Sequence, residues 1–375
     1  MSDTATAPQT RPEQDYLQHL AQGRFMIQRS RSSGAYVFYP RVAEPRTGAT
    51  DLEWVPASGE GTVYATTVMR QRAPTPSYNL ALIDLAEGPR MMSRVENIAP
   101  DAVRIGMKVR ARISREGDTR SSSSIRPNET RPTSRSIPMS DGFPRGQTAI
   151  VGAATHGIGE APGFDSIDLA AHASVKALKQ AGLTPADVDA LFIGLPQDYL
   201  SGLSFSEYLG IHPKITDNNR TGGSAFLTHV FWAATALATG QCNVALIAYG
   251  SNQRSASGKL VSSLKLPFFE GLYKPIMPVG AYALATSRHM HQYGTTREQL
   301  AAVAVSARQW AQRNPDAFMR DDLSIADVIN ARMVADPLGV RDCCLVTDGA
   351  AAIVMTRADR APDQSAKPVY VLGAA

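Results

Sequence analysis

The sequence has few cysteines and no long uninterrupted apolar run. Its three cysteines, Cys242, Cys343 and Cys344, are too few for a disulfide framework and include no C-x-x-C pair for zinc. No stretch of about 18 apolar residues suggests a membrane span, and the N-terminus lacks the charged-then-apolar order of a signal peptide. We therefore expect a cytoplasmic protein with no bound metal and no membrane partner.

Aromatic and aliphatic side chains are scarce in two segments. Residues 1–15 are polar and rich in Pro and Thr, which predicts a disordered tail. Residues 115–146 are rich in Ser, Arg and Pro and cannot bury a core. The arginines leave a nucleic-acid arm open, but no aromatic residue for base stacking lies among them before Phe143. We predict a solvated linker and no nucleic-acid partner.

Residues 16–114 have the pattern of a small all-β domain. Short apolar and β-branched runs, such as Gly61–Met69 and Tyr78–Leu85, are separated by turns that contain glycine. Strands at this spacing predict a small closed β-barrel.

Five blocks of this segment resemble the DUF35 family of acyl-CoA-associated OB-fold proteins. They are Phe38-Tyr39-Pro40-Arg41, Leu52-Glu53-Trp54, Ser58-Gly59-x-Gly61-Thr62-Val63-Tyr64, Leu82-Ile83-Asp84-Leu85-x-Glu87-Gly88 and Arg104-Ile105-Gly106-Met107. The resemblance implies an OB fold, preceded in most members by a four-cysteine zinc ribbon. Here Ser30 and Ser33 stand where the first C-x-x-C pair would lie, and a serine hydroxyl is not a workable zinc ligand at neutral pH. We therefore expect a degenerate ribbon without zinc.

From residue 147 the pattern changes to alternating strands and helices. Thr148–Ala154 reads as a strand, and Ile167–Gly182 reads as an amphipathic helix with Ser166 as its N-cap. Strands separated by helices predict a layered α/β domain with a mostly parallel sheet.

One helix of this domain is apolar on every side. The segment Gly223–Thr239 has no continuous polar face, which predicts a central helix that is buried all round. Gly222, Gly223 and Ser224 precede it, so the first turn offers backbone N–H groups and the positive end of the helix dipole. Such a turn suits an oxyanion or a nucleophile.

The segment 147–375 resembles the N-terminal half of the thiolase superfamily, of the sterol-carrier-protein or lipid-transfer type. The resemblance rests on Gly222-Gly223-Ser224, on the run from Gly240 to Ser251, on the block from Tyr282 to Thr296, and on the block from Asp342 to Ala352. It implies an acyl-CoA thioester as substrate and no tightly bound cofactor. Thiolases place a nucleophilic cysteine at the start of the central helix, and counting back from Gly240 puts that position at Gly223.

The resemblance also suggests roles for individual residues. Ser224 either caps the helix or attacks a thioester, although a serine without an adjacent base is a poor nucleophile. Gly222 and Gly223 are expected to bind substrate. Cys344 aligns with a serine that lies near the pantetheine arm of CoA, so we expect it either to line that channel or to be a small buried thiol.

These observations predict a thiolase-like protein that acts on acyl-CoA thioesters in lipid or sterol side-chain metabolism. Its reaction would be acyl transfer or carbon–carbon cleavage, either thiolytic or retro-aldol. The alternative is a non-catalytic acyl-CoA-binding or scaffolding subunit, which the missing cysteine favours. The second thiolase half is expected to be absent from this chain, and a partner chain could complete the site. We further expect a homodimer.

Overall fold

A computed structural model of the chain describes residues 11–116, 119–121, 143–196, 198–219, 221–257, 268–364 and 367–374. Residues 1–10 of the predicted tail and residues 122–142 of the predicted linker therefore lie outside the described residues. Within the described residues, no helix is both long enough and apolar enough to cross a bilayer.

The strands and helices are numbered in chain order. The strands are β1 (Met26–Ser30), β2 (Tyr36–Val37), β3 (Leu52–Pro56), β4 (Glu60–Met69), β5 (Tyr78–Leu85), β6 (Arg90–Ser93), β7 (Lys108–Arg110), β8 (Ser114–Glu116), β9 (Thr119–Ser121), β10 (Thr148–Gly159), β11 (Ala190–Gly194), β12 (Ile215–Asp217), β13 (Val244–Ser251), β14 (Met333–Ala335), β15 (Leu338–Gly339), β16 (Asp348–Arg357) and β17 (Val369–Tyr370). The helices are α1 (Pro12–Ala21), α2 (Ser166–Gln180), α3 (Ser201–Leu209), α4 (Ala225–Ala238), α5 (Phe268–Gly271), α6 (Val279–Tyr293), α7 (Arg297–Gln312), α8 (Ile325–Ile329) and α9 (Ala361–Gln364).

The chain folds into two compact units, and each is built from more than one segment. The first unit comprises Met1–Pro132, Lys265–Gln309 and Asp321–Cys344, and the second comprises Thr133–Leu264, Trp310–Arg320 and Leu345–Ala375. The sequence analysis predicted two domains that follow each other along the chain, one at 16–114 and another at 147–375. In the structure two segments of the later part belong to the first unit, because helix α6 packs on β4 and strand β14 pairs with the end of β4.

The first unit is an antiparallel β structure, and helix α6 packs on its strands β4 and β5. Strands β4, β5 and β6 pair in sequence order, and β7 pairs with the start of β4. Along β4 the side chains alternate, and Val63 and Ala65 point into the core. Leu284 of α6 is buried against Met69 and Leu80, in the same apolar cluster.

Two local details of this unit differ from the sequence expectation. Helix α1 begins at Pro12, inside the predicted tail, because a proline at the first helical position costs no hydrogen bond. Strands β8 and β9 form a short antiparallel hairpin, so the predicted linker does not start at residue 115.

The second unit is a six-stranded sheet with helices on both faces, in the order β12-β11-β13-β16-β10-β17. The pairing makes β10, β11, β12 and β13 run in one direction and β16 and β17 in the other. The layered α/β class is therefore confirmed, but the predicted mostly parallel sheet is a mixed one. The pairs β11–β12 and β11–β13 are parallel, whereas β13–β16, β10–β16 and β10–β17 are antiparallel. Helix α2 is capped by Asp165, whose side chain forms a capping box with Asp168, and not by Ser166 as predicted.

Helix α4 covers the sheet with one face only. Ala233, Ala234 and Leu237 are buried against β11 and β13. On the opposite side Leu227 is 62% exposed and Trp232 is 51% exposed. The prediction of a helix buried on all sides is therefore corrected, because the sheet supports a single face of α4.

Candidate functional site

The amino end of α4 lies at the edge of the sheet where three parallel strands finish. Strands β11, β12 and β13 run in the same direction. Their last residues, Gly194, Asp217 and Ser251, therefore lie at the same edge of the sheet. In α/β sheets this carboxyl edge is where ligands bind. The turn that connects β12 to α4 contains all three residues that the sequence singled out in this unit, Gly222, Gly223 and Ser224.

The glycine turn is exposed and only one of its glycines is required by the backbone. Gly222 has φ +87°, a left-handed conformation that side chains rarely adopt. Gly223 lies outside that region, and a Cβ added there would meet no heavy atom within 4 Å. Position 223, where the resemblance predicts the thiolase cysteine, therefore has room for a side chain but holds none.

Ser224 is the N-cap residue of α4 by position, but its side chain makes no capping hydrogen bond. Its backbone carbonyl accepts from the N–H groups of Leu227 and Thr228 at 3.0 and 3.2 Å. Capping by the Ser224 hydroxyl is thus not observed. Within the described part of the chain, no histidine, lysine or carboxylate hydrogen-bonds to the hydroxyl either. Ser224 is therefore exposed but lacks the adjacent base that nucleophilic attack needs.

The structure places a buried histidine close to this turn, which the sequence reading missed. His229 is fully buried in α4, and its Nε2 lies 3.7 Å from Oδ2 of Asp217. The rings of Phe192 and Phe226 lie 5.7 and 6.0 Å from the imidazole. Burial lowers the pKa of His229, and the carboxylate of Asp217 opposes this only in part. The imidazole is therefore neutral at neutral pH. A lone histidine in an otherwise apolar helix was the available signal.

Asp217 connects the histidine with the turn. Its side chain is 37% exposed, and its Oδ2 accepts from Nδ2 of Asn219 at 3.1 Å. Oγ1 of Thr221 in turn donates to Oδ1 of Asn219 at 3.2 Å. The connection from β12 to α4 therefore carries a partly solvated carboxylate at one end and the exposed N–H groups of a helix start at the other, and these groups could act as a base and an anion-stabilising group.

The cysteines do not supply a nucleophile to this turn. Cys242 is buried, and burial raises the pKa of its thiol to about 11. Cys343 is half-buried, and burial and the nearby Asp342 raise its pKa. Cys344 is exposed and belongs to the first unit, whereas Gly222–Ser224 belong to the second. Its predicted role in binding substrate stays a prediction.

The turn at Ser30–Ser33, where the sequence predicts a degenerate zinc ribbon, is held by hydrogen bonds. Oγ of Ser30 donates to Oδ1 of Asp51 at 2.9 Å, and the backbone N–H of Ser32 donates to Oδ2 at 2.7 Å. The N–H of Ser33 donates to Oγ of Ser30 at 3.2 Å. Among the described residues no group of three or more His, Cys, Asp or Glu side chains could hold a metal ion. The carboxylate of Asp51 thus closes this turn.

Comparison with known families supports the assignment of the first unit. The family model described as "ChsH2, C-terminal OB-fold domain" matches residues 54–114 of this chain. These residues include β4, β5, β6 and β7, so the predicted OB fold is confirmed for this segment.

Three curated relatives resemble the chain over about three fifths of its length. A 17-hydroxy-3-oxo-4-pregnene-20-carboxyl-CoA lyase of Mycobacterium tuberculosis is 35% identical, over 61% of this chain and 62% of the relative. A steroid side-chain-cleaving aldolase of Thermomonospora curvata is 31% identical, over 61% and 62%. An acetyl-CoA acetyltransferase of Methanothermobacter thermautotrophicus is 30% identical, over 60% and 61%. The chain thus spans less than two thirds of the length of these relatives.

A solved structure is similar to part of the chain. The Ltp2-ChsH2(DUF35) aldolase superimposes with a TM-score of 0.56 and 31% sequence identity, over 62% of this chain and 61% of that chain. The name of that protein pairs Ltp2 with a DUF35-type ChsH2, and the superposition covers about three fifths of this chain.

Proposed function

Because the chain combines a thiolase-like domain with a DUF35-type OB-fold segment, we propose that it acts on acyl-CoA thioesters. The proposed reaction is retro-aldol cleavage of a β-hydroxyacyl-CoA in lipid or sterol side-chain metabolism. The observation that carries this proposal is the turn before α4, which keeps its glycines and has no cysteine at Gly223. Two relatives whose names describe a lyase and an aldolase of steroid side chains support the same reaction.

Retro-aldol cleavage needs a base and an oxyanion site but no nucleophile. In the proposed mechanism Asp217 accepts the proton of the β-hydroxyl group. The bond between the α and β carbons breaks, and its electron pair moves onto the thioester carbonyl as an enolate. Backbone N–H groups at the start of α4, around Gly223, stabilise that oxyanion. The enolate then takes up a proton at the α carbon, which leaves a ketone and a shortened acyl-CoA.

Two other functions remain as alternatives. Thiolytic cleavage or acyl transfer is supported by the resemblance to the acetyl-CoA acetyltransferase, but it requires a nucleophile that neither Gly223 nor the unactivated Ser224 supplies. A non-catalytic acyl-CoA-binding or scaffolding subunit is supported by the same missing cysteine. The three functions can be distinguished by their products. Retro-aldol cleavage releases a ketone, thiolysis consumes free CoA, and a binding subunit releases no product.

The purified chain would be incubated with 17-hydroxy-3-oxo-4-pregnene-20-carboxyl-CoA, and separately with acetoacetyl-CoA and free CoA. We expect release of a 17-keto steroid without added CoA and no thiolysis of acetoacetyl-CoA. Asp217→Asn should lower kcat by about 100-fold or more, as expected for loss of a general base. Asp363→Asn, at an exposed carboxylate of the same unit, is the matched control. CoA esters that bind without any release of ketone, both with the chain alone and after a partner chain is added, would overturn the enzymatic proposal in favour of the binding subunit.

The assembly is part of the same proposal. We propose a cytoplasmic homodimer, with a partner chain completing the site if the second thiolase half lies on another polypeptide. Size-exclusion chromatography with light scattering tests the dimer, and a monomeric mass would contradict it. Cleavage activity that appears only after a partner chain is added would support the completed site.

A further inference from the structure

A cavity of about 490 Å³ lies entirely within the first unit. Helix α6 forms one side of it, and strands β4, β5 and β6 form the other. Its apolar walls are the side chains of Ala65, Leu82, Met92 and Leu284. A volume of roughly 300–1,000 Å³ with mostly apolar walls and few polar groups is typical of small-molecule sites.

One arginine supplies the cation of this cavity. The guanidinium of Arg288 stands over the ring of Tyr64 at 4.3 Å from the ring centre. Its Nη1 donates to the backbone carbonyl of Tyr64 at 3.5 Å. These contacts hold the side chain on the cavity wall. Its Nε is nevertheless buried, and no described residue accepts a hydrogen bond from it.

A second arginine shows what is unusual about Arg288. The guanidinium of Arg90 stands 3.1 Å from the centre of the same Tyr64 ring, but its Nε donates to Oδ1 of Asp84 at 3.1 Å. The charge of Arg90 is thus paired with Asp84, which lies opposite it on the neighbouring strand β5. Arg288 makes no ion pair with a described residue, although Glu270 lines the same cavity.

A buried donor without an acceptor is costly, and the cost is larger for a charged group. An anionic oxygen that enters the cavity would form a charge-assisted hydrogen bond with the guanidinium of Arg288, which has no ion-pair partner among the described residues. The rest of such a ligand would lie against Leu82, Met92 and Leu284. The carboxylate of Glu270 would repel a second anionic group, so the ligand should carry its charge at one end.

We propose that this cavity binds an apolar molecule that ends in a single carboxylate or similar oxygen anion, recognised by Arg288. The proposal concerns the first unit alone and does not depend on the acyl-CoA cleavage proposed for the second. It assigns a ligand-recognition role to the block from Tyr282 to Thr296, which the sequence analysis interpreted only as part of a family resemblance.

Octanoate and 1-octanol are suitable probes, because they share an apolar chain and differ in the anionic end. Each would be titrated into the full-length chain and followed by isothermal titration calorimetry. We expect octanoate to bind with 1:1 stoichiometry and 1-octanol to bind at least tenfold more weakly. Arg288→Met should reduce octanoate to the affinity of 1-octanol. Arg72→Met, at an exposed arginine of the same unit, should change nothing.

A second variant fills the cavity from its edge. Ala285 lines the cavity from an exposed position on α6, so Ala285→Trp should block both probes while the protein stays folded. Octanoate binding that survives both Arg288→Met and Ala285→Trp would overturn the proposal, as would equal affinity for the two probes or no saturable binding. If Arg288→Met fails to fold, the comparison of the probes and Ala285→Trp still decide the question.

Discussion

Nε2 of His229 lies 3.7 Å from Oδ2 of Asp217, and neither ring nitrogen hydrogen-bonds to a described residue. A fully buried imidazole without hydrogen bonds is unusual, because most buried polar side chains are satisfied. The imidazole of His229 is thus close enough to Asp217 for an electrostatic interaction, but its two ring nitrogens make no hydrogen bond with a described residue. Because burial keeps the imidazole of His229 neutral at neutral pH, it places no positive charge beside Asp217, the proposed base.

Acid should destabilise the protein through His229. Burial lowers its pKa in the folded state, so the unfolded chain binds a proton more readily as the pH falls through about 6.5, the ordinary value for histidine. The free energy of unfolding should therefore fall between pH 7.5 and pH 5.5, at up to about 1.4 kcal/mol per pH unit. Urea unfolding at the two pH values measures this.

The matched variants for this effect are His229→Leu and His212→Leu. Leucine at position 229 fills the apolar site without a titrating group, so the pH dependence should become smaller while stability at pH 7.5 is kept. His212 is exposed, and its replacement should leave the pH dependence as it was. Equal slopes for the wild type and His229→Leu would show that His229 is not the group responsible.

The two glycines before α4 should respond differently to alanine. Gly222 has φ +87°, and a left-handed conformation costs a residue with a Cβ about 1–2 kcal/mol. Gly223 has no such φ and open space around its Cβ position, so Gly223→Ala should be neutral or stabilise by up to about 1 kcal/mol. Thermal or urea unfolding of the pair measures the difference, and an equal loss in both variants would contradict this backbone account.

The sequence predicted the site only in part. Glycines followed by an apolar helix predicted the turn at Gly222–Ser224, because that pattern is local. The approach of Asp217 to His229 depends on the rotation of α4 relative to the end of β12, which is set by the connecting turn and not by the hydropathy pattern. For the same reason the sequence did not indicate that Ser224 leaves its side chain without a capping bond.

The fold shows the same limit on a larger scale. Alternation of apolar residues was sufficient to predict the strands β4 and β5 and the α/β unit, but the predicted closed barrel is not seen, because the described strands pair as open sheets. Hydropathy also predicted burial of Leu227 and Trp232, but it reports which side chains favour an apolar environment and not what covers them. The grouping of Lys265–Gln309 with the first unit depends on packing of α6 against β4, a contact between segments far apart in sequence.

Asp348 should be a main contributor to the stability of the second unit. Its carboxylate is 2% exposed and accepts from the N–H groups of Ala161, Arg254 and Ser255 at 2.9, 2.8 and 3.1 Å. Burial acts to raise the pKa of Asp348, but these hydrogen bonds outweigh it and the pKa is lowered. Asp348→Asn replaces one acceptor with a donor and should cost roughly 3 kcal/mol.

The sign of the pH effect follows from the lowered pKa of Asp348. The stabilisation is complete above the ordinary pKa of an aspartate, about 3.9, and is lost as the pH falls towards the lower folded-state pKa. Asp359→Asn, at an exposed ion pair with Arg357, is the control and should change stability little. Urea unfolding at neutral pH compares the two, and a similar small effect in both would contradict a structural role for Asp348.

A cysteine introduced at Gly223 tests whether the turn still favours an anion. Gly223→Cys should be tolerated, because a Cβ there meets nothing within 4 Å, and the thiol would stand at the positive end of the α4 dipole. The dipole and nearby N–H groups should lower its pKa by about one unit relative to a thiol at the other end of the helix. Thr239→Cys, at the C-cap of α4, supplies that comparison.

Alkylation by iodoacetamide over a range of pH, followed by mass spectrometry, gives the two profiles. A profile for Gly223→Cys shifted to lower pH would show that the turn stabilises negative charge, as the enolate mechanism requires, whereas coincident profiles would remove the physical basis for placing an oxyanion there.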